Sequence, residues 1–354
     1  MLSRYCFFLL IFLFFGACRN IEVREFLDVS FDKTPKNRVP LSEIAEYITK
    51  IELETIDRSV LNINFDRFEV EILNQNYLIK DSYRTIKIFD QQGKYVREIG
   101  KIGGGPGEYP SRGGGSKFSV NREKSEIIIS TNIGLMVYDI NNNFIEKGPK
   151  LKGYITDMWF FEGKQYFIIT DDSLLSNNEV NIFLKVYDSK WNMVDSLLVK
   201  NIKNCGVVYD NSRKFSQHQN HLCFSYPLKL QPQLPTIDTV YTIENHRLKP
   251  VLAIESNIHK IFNIIFTDRF ILASYLNKMD DGSNCTSFLV YDAKTKKSKN
   301  TDRGFVDDFF NTGNVELIKV IPNTDKFFFI TETEYSENLK VEPNPTLYIG
   351  TFKK

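Results

Sequence analysis

Apolar and polar positions alternate in short runs along this chain, and one composite pattern returns. It is an alternating apolar run closed by an aromatic residue, then a polar turn, then a second strand-like run. The first copy is IKIFDQQGKYVREIG at residues 86–100; later copies are LMVYDINNNFIEK from Leu135, LKVYDSKWNMVDSLLV from Leu184, TVYTIENHRLKPVLAI from Thr239 and FLVYDAKTKKSKN from Phe288. A period of two puts successive side chains on opposite faces of a strand, so each copy predicts two strands joined by a turn. The residue after the aromatic is Asp90, Asp139, Asp188, Thr242 and Asp292, in steps of 49, 49, 54 and 50 residues. Four-stranded propeller blades repeat at about 40–50 residues, and the 3.6-residue period of helical repeats is missing here.

Set out four to a blade, the predicted strands of blade one are 65–73, 77–80, 86–89 and 95–100. Those of blade two are 117–120, 126–131, 135–138 and 144–147, and those of blade three 157–161, 165–170, 182–187 and 193–199. Blade four takes 207–209, 221–226, 239–243 and 250–254, and blade five 260–266, 270–274, 287–291 and 297–300. The last stretch offers three: 315–321, 326–331 and 347–352. Residues 41–47 read as a helical turn with Ser42 as its cap, and YITKIELET at 47–55 is a spare strand. Pairing that strand beside 347–352 closes the ring and removes its terminal edge. The expected fold is all-β: a monomeric, six-bladed β-propeller of four-stranded blades, closed by an N-terminal strand in the last blade. A seventh blade would need a repeat that the sequence lacks.

The first 18 residues do not belong to that ring. Arg4 supplies a positive charge, residues 5–15 are an unbroken apolar run, and Gly16 and Ala17 precede Cys18. Eleven apolar residues are too few for a bilayer, which needs about 20, but they suit the core of an export signal. Small residues before a cysteine resemble a bacterial lipobox, with Phe15 where Leu is more usual, and on that resemblance Cys18 becomes the lipidated N-terminus. An ordinary signal with an incidental cysteine is the alternative. The expected organisation is a signal over 1–18, a tether over 19–40 and the propeller over 41–354. The lipid alone would hold the protein to a membrane of the cell envelope, on the periplasmic or outer face, with the fold in water.

Net charge is +1, which gives no electrostatic case for nucleic acid or for an anionic membrane surface. Aromatic residues make up 14% of the chain, as suits strands with broad faces to pack. Of the five cysteines, Cys6 lies in the signal and Cys18 at its end. Cys205 with Cys223 is a candidate disulfide, and three buried thiols, Cys285 included, are the alternative.

Residues 80–110, KDSYRTIKIFDQQGKYVREIGKIGGGPGEYP, resemble NHL-type propeller repeats. More closely, they resemble the six-bladed β-propeller lipoproteins of unassigned function found in gut-type Gram-negative bacteria. PLSEIAEYITKIELET near the start and PTIDTVYTI at 235–243 carry the same likeness, which extends over roughly residues 40–350. It implies fold and export, and no reaction.

Loop lengths supply an asymmetry. In a blade, the turn between strands two and three and the link from strand four to the next blade share one face. Here that face carries the long loops 101–116, 171–181, 227–238, 276–286, 301–314 and 332–346, while the opposite face has short turns such as 121–125, 139–143, 162–164 and 188–192. Long loops on a rigid scaffold are where binding usually resides. Strand register places Arg84, Glu108, Tyr109, Arg112, Tyr226, Tyr275 and Arg303 at that rim. They are the candidate contacts for a glycan, a peptide or an envelope protein, although each is also explicable as a bridge between blades.

Other motifs are weak. GGGPG at 103–107 lacks the helix and Lys-Ser/Thr of a phosphate loop. HQNH at 218–221 has no third metal ligand nearby. DDGSN at 280–284 resembles a calcium loop without its closing Glu, so calcium is the one candidate cofactor beside none. Asp171-Asp172 and Asp307-Asp308 are acid pairs of the kind that sugar chemistry uses, and also of the kind that solvated loops carry. Two functions stay open: a non-catalytic binding or scaffold module, which the missing catalytic motifs favour, and an envelope hydrolase or lyase acting on carbohydrate or lactone through channel-lining carboxylates. An enzyme should bring buried acids with perturbed pKa values together in the channel. A binder should show aromatics and single polar groups.

Overall fold

The computed structural model describes residues 27–30, 36–62, 67–81, 86–109, 117–171, 179–203, 213–226, 236–256, 261–279, 281–333 and 342–354. Three strands come first: β1 (Leu27–Ser30), β2 (Lys36–Pro40) and β3 (Ala45–Glu52), the last after a single 3-10 turn at Leu41–Glu43. Blade one is β4 (Glu69–Leu73), β5 (Asn76–Lys80), β6 (Ile86–Phe89) and β7 (Tyr95–Ile99). Blade two is β8 (Phe118–Asn121), β9 (Glu126–Thr131), β10 (Gly134–Asp139) and β11 (Phe144–Lys147). Blade three is β12 (Tyr154–Phe161), β13 (Lys164–Asp171), β14 (Glu179–Tyr187) and β15 (Met193–Lys203). Blade four is β16 (Phe215–His218), β17 (His221–Ser225), β18 (Thr236–Glu244) and β19 (Arg247–Ser256). Blade five is β20 (Ile261–Phe266), β21 (Phe270–Lys278), β22 (Asn284–Asp292) and β23 (Lys297–Val306), with the short β24 (Asn314–Val315) beside β23. Blade six is β25 (Lys319–Val320), β26 (Lys326–Thr331), β27 (Thr346–Phe352) and then β3 outermost. The chain is a six-bladed β-propeller, and β3 pairs antiparallel with β27 from Glu52↔Thr346 to Ala45↔Phe352, which closes the ring as expected.

The recurring Asp explains the repeat. Its side chain caps the turn between strands three and four: Asp90 Oδ1 accepts the amides of Gln92 and Lys94, both at 2.9 Å. Asp139 receives Asn141 and Asn143, and Asp188 receives Lys190 and Asn192, in the same way. Asx turns of this kind hold a tight loop without help from a neighbouring strand. The loop needs one residue at positive φ, supplied by Gly93 at 80°, Asn142 at 66° and Trp191 at 62°. Blade four has Thr242 instead, and its hairpin turns on Asn245 and His246, at φ 50° and 60°, the two-residue type favoured by strand twist. Apolar faces of adjacent blades then pack on each other. Leu78, Ile88, Phe118, Val120 and Tyr138 fill the space between blades one and two, and Ile51, Phe68, Val70 and Phe328 that between blades six and one.

Beyond shifts of a few residues at strand ends, the structure departs from the expected strands as follows. The tether expected over 19–40 contains two strands: β1 adds in parallel to β19 and β2 in parallel to β23, each as a fifth strand. Apolar side chains hold them there, Val29 and Val39 being 4% and 2% exposed. Blade four begins with β16 at Phe215–His218; the expected 207–209 lies outside the described residues. β-propensity pointed to the Val-Val-Tyr run, whereas β16 carries one core apolar residue, Phe215, and is set by its ladder with β17. Strands β21, β22 and β23 run further than expected, into the loops assigned to 276–286 and 301–314. The expected strand 315–321 is two short pieces, β24 on blade five and β25 on blade six. The helical turn is confined to Leu41–Glu43, and Ser42 is not its cap: the Ser42 amide donates to Asp308 Oδ1 at 3.0 Å.

Candidate functional site

Charged side chains from the inner strands meet at the axis of the ring. Lys117, just before β8, donates to Glu69 of β4 at 2.6 Å, and both side chains are 3% exposed. Arg213, just before β16 in blade four, donates through Nη1 to Asp157 Oδ1 of β12 at 3.1 Å and to the Met158 carbonyl at 3.2 Å. Its other terminal nitrogen lies 3.6 Å from Glu71 of β4. Blades four and one are opposite in a ring of six, so the Arg213 side chain crosses the channel. Arg122, just after β8, likewise reaches the Pro322 carbonyl in blade six at 2.6 Å and stands 3.6 Å from Glu71.

The three acids have distinct environments. Asp157 is fully engaged: Oδ2 accepts the amides of Lys214 at 2.7 Å and Phe215 at 3.2 Å, which ties the start of β16 to β12. Burial pushes the Glu69 carboxyl up, but Lys117, Lys80 and Arg213 outweigh it and hold the group at about 2. Burial dominates at Glu71, which rises to about 7 against the pull of Arg122 and Arg213, with Glu69 and Asp157 adding repulsion. Neither Glu71 oxygen has a hydrogen-bond partner among the described residues. Arg213 stays charged, because Asp157, Glu69 and Glu71 outweigh the effect of its burial. The acids are 0–2% exposed, so this cluster plugs the channel and offers no surface to a substrate.

Two cavities among the described residues bear on the candidate site. On the long-loop face, one of about 680 Å³ lies between blades five and six. Thr286, Asn314 and Thr331 contribute polar groups to its lining, and the residues Phe68, Phe328 and Phe329 that border it have their rings buried in the core. Arg303 and Glu316 close one side, joined Nε to Oε1 at 2.6 Å, and Glu316 Oε2 also accepts the Thr286 amide at 3.1 Å. On the short-turn face, a cavity of about 290 Å³ has Trp159, Phe266 and Phe352 in its floor. Trp159 Nε1 donates to Asn323 Oδ1 at 3.0 Å and Arg269 is held by Asp292, whereas the buried Oε1 of Gln217 in the same lining has no hydrogen-bond partner among the described residues.

Of the sequence candidates, Arg303 lies in the larger cavity, with its side chain 52% exposed. Arg84, Arg112 and Cys18 lie outside the described residues. The others serve packing. Glu108 turns back into its own loop, paired with Lys101 at 2.5 Å and accepting the Gly105 amide at 2.9 Å. A Cβ at Gly103 would meet that carboxylate, and one at Gly107 would meet Phe144, whereas Gly104 faces open space. Tyr109 is 1% exposed, between blades one and two. Tyr226 is 5% exposed with the Lys214 ammonium 5.1 Å from its ring centre, and Tyr275 is buried with its hydroxyl donating to Asn300 at 2.7 Å.

The weaker motifs resolve similarly. His218 and His221 face each other across the β16–β17 turn, and His218 stacks on Phe266 with Nδ1 2.8 Å from the Thr267 carbonyl. Asp281 accepts the Ser283 amide at 2.8 Å in a hairpin turn. Asp307 caps the loop at Phe309, Phe310 and Thr312, while Asp308 receives Ser42, so the two carboxylates serve different segments. Among the described residues, no group of three or more His, Cys, Asp or Glu is arranged to hold a metal. Cys223 and Cys285 are buried, and Cys205 lies outside the described residues.

The chain belongs to the family described as Domain of unknown function (DUF4934). The match covers residues 25–349, so the family unit takes in β1 and β2 together with the ring. A crystal structure of a Bacteroides fragilis protein, whose name says only that it is thought to be exported, superposes with a TM-score of 0.65 at 17% identity, covering 92% of this chain and all of that one. At that identity the likeness shows the fold alone. Part of the tricorn protease matches with a TM-score of 0.40 and 11% identity over 78% of this chain and 33% of that one, too distant to carry an argument. No curated protein matches the chain.

Proposed function

We propose that this DUF4934 protein is an exported, non-catalytic binding module, lipid-anchored at Cys18, that holds a glycan or peptide segment in the long-loop cavity between blades five and six. One observation carries the reading: the channel acids are held in buried ion pairs under a crossing arginine, while the cavity brings single polar groups together with one half-exposed guanidinium. A cavity of that size suits a small saccharide or a few peptide residues. Arg303 is the anchor, because Glu316 holds its Nε side and leaves the terminal nitrogens for a ligand. The name of the B. fragilis neighbour and the apolar run before Cys18 support export.

The test is a panel of envelope glycans and peptides, with Arg303→Ala as the probe of the site. Binding should weaken by about tenfold, the loss of roughly one charge-assisted hydrogen bond. A ligand whose binding is indifferent to Arg303→Ala and to Thr331→Ala, or whose footprint lies on the short-turn face, overturns the assignment. For the anchor, Cys18→Ala should release the protein from membranes, and unchanged fractionation argues against lipidation. The hydrolase or lyase reading draws on one observation, the separation of Glu69 and Glu71 to about 2 and about 7. Turnover of a carbohydrate or lactone that is lost in Glu71→Gln would establish it in place of the binding module.

A further inference from the structure

The arm limits how the ring can stand relative to a lipid at Cys18. The fourth strands of blades four and five, β19 and β23, start at the short-turn face, and β1 and β2 pair with them in parallel. The chain therefore enters β1 from the short-turn side of blade four. Leu27 pairs with Leu252, five residues after β19 starts at Arg247, so about 17 Å of strand separates it from that end of the blade. Nine residue steps join Cys18 to Leu27, and they span at most about 32 Å. A lipid on Cys18 thus lies no more than about 15 Å beyond the short-turn end of blade four along this direction. Reaching the long-loop side would need a reversal within the same few steps.

That end of blades four and five is basic. The turn between β22 and β23 carries Lys294, Lys296 and Lys297, all exposed and without an ion pair or side-chain hydrogen bond among the described residues. Arg247 begins β19 as Lys297 begins β23, and it too is exposed and unpaired among the described residues. The acids beside them are committed: Asp292 to Arg269 at 2.7 Å, Glu244 to Lys249 at 2.6 Å and Asp195 to His246 at 2.7 Å. Asp268 accepts the Gln219 amide. Asp292 also accepts the amides of Lys294 and Thr295, at 2.9 and 3.3 Å, which fixes the turn and leaves its ammonium groups in water. Lys296 stands at φ 56°, in the left-handed region that favours glycine or asparagine. Gly93 and Asn142 take that conformation in blades one and two, so the turn itself gains nothing from a lysine. The net charge of +1 averages over the whole chain and conceals this corner.

We infer that the short-turn corner of blades four and five rests on the anionic phosphates of the membrane, through Lys294, Lys296, Lys297 and Arg247. The inference depends on the lipid at Cys18 proposed above, and goes beyond it by naming the surface that faces the bilayer. Acyl chains and a basic patch reinforce each other at an anionic surface. Each lysine near such a surface strengthens binding about fivefold. The lipid keeps the corner close to the headgroups, so the patch makes a second, intramolecular contact that fixes orientation. Blade one, opposite blade four, and the long-loop face then point away from the lipid, which leaves the long-loop cavity open to its ligand.

The test uses the full lipidated protein, reconstituted into vesicles of phosphatidylcholine alone or with phosphatidylglycerol. Lysines are acetylated with an amine-reactive reagent, and the rate at each is read by mass spectrometry. Lys294, Lys296 and Lys297 should label about fivefold more slowly on the anionic vesicles, and about 1 M salt should remove the difference. Lys124, on a short turn of blade two, and Lys278, at the long-loop end of blade five, are both exposed and should label alike on the two. Lys249, at the basic corner and 37% exposed, should be slowed as well. Lys294→Gln/Lys296→Gln/Lys297→Gln should return Lys249 to its rate on neutral vesicles with the melting profile unchanged. Equal rates at the turn on both vesicles, or slowing that falls on Lys278 instead, would overturn the inference and leave the anchor standing. The intact mass of the same sample reads the anchor separately: a chain without acyl groups removes the anchor and this inference with it.

Discussion

Lys117→Met tests whether the axial cluster holds the ring together. The substitution keeps the side-chain length and deletes the charge that lies 2.6 Å from Glu69, in a pair whose side chains are both 3% exposed. Glu69 sits at about 2 instead of 4.5, a difference worth about 3 kcal/mol at roughly 1.4 kcal/mol per unit. Lys117 is the largest of the groups that lower it, ahead of Lys80 and Arg213. Removing one partner of a buried pair leaves an uncompensated charge, which typically costs about 3–5 kcal/mol. Lys117 supplies the largest share of that lowering, so Lys117→Met should destabilise the protein by about 3 kcal/mol at pH 7, the low end of the cost of breaking a buried pair. The sign with pH is fixed as well. A carboxyl with a lowered folded pKa contributes stability that is complete above about 4.5 and is lost as pH falls toward about 2. The variant should lack that rise in stability between pH 2 and 4.5. Denaturant unfolding, followed by far-ultraviolet circular dichroism and by tryptophan fluorescence, measures both, coincident curves being the check on two-state behaviour. The double variant Glu69→Leu/Lys117→Met should recover most of the loss, because apolar replacement of a whole buried pair is often neutral. A single variant within about 0.5 kcal/mol of the parent, or a double variant no better than the single, would show that the pair is not what stabilises the axis.

Two further outcomes follow from the same packing. Glu71 has its folded pKa raised to about 7, so its contribution is complete below about 4.5 and falls away as pH rises to about 7, by up to about 3 kcal/mol; Glu71→Gln should flatten that decline in denaturant midpoints measured from pH 5 to 8, and an unchanged slope would assign the decline to other groups. Deleting residues 41–56 removes Leu41, Ile44, Ala45, Ile51 and Leu53, all buried, and bares the edge of β27. The burial lost is on the order of 10 kcal/mol, comparable to the stability of a whole domain, so the deletion should aggregate or melt early, and a soluble product with an unchanged midpoint would contradict closure by β3.

The ring was legible because its repeat is enforced locally. Each Asp at positions 90, 139, 188 and 292 caps its own turn, so the signal survives in one short window of sequence. Closure was legible by counting, since a blade one strand short and a spare strand at the start have one economical solution. The arm was not. β1 and β2 are four and five residues long, and their apolar residues, Leu27, Val29 and Val39, are scattered among charges. Their strand character comes from the edges of β19 and β23, and no local window contains those edges. β16 escaped notice for a related reason: Ser216 and Gln217 are poor strand residues, and the ladder with β17 decides their conformation.

The functional candidates misled in a way that has a physical cause. Register suggests a rim position for Tyr109, Tyr226 and Tyr275, but Tyr275 lies inside β21 and Tyr109 packs between blades one and two. A tyrosine there buries its ring between blades and spends its hydroxyl on a local partner, as Tyr275 does on Asn300. The axial cluster did leave a signal that went unused: charged residues inside apolar strands, Glu69 and Glu71 in EVEIL, Asp157 in YITDMWFF and Lys319 before Val320. A charge in such a run must be paired or solvated, and in an inner strand the axis is where its partners are. Five of the six inner strands supply or adjoin those charges, at Glu69, Lys117, Asp157, Arg213 and Lys319, and one of the side chains crosses the ring. A channel so filled joins opposite blades at the axis, and its acids are buried away from solvent.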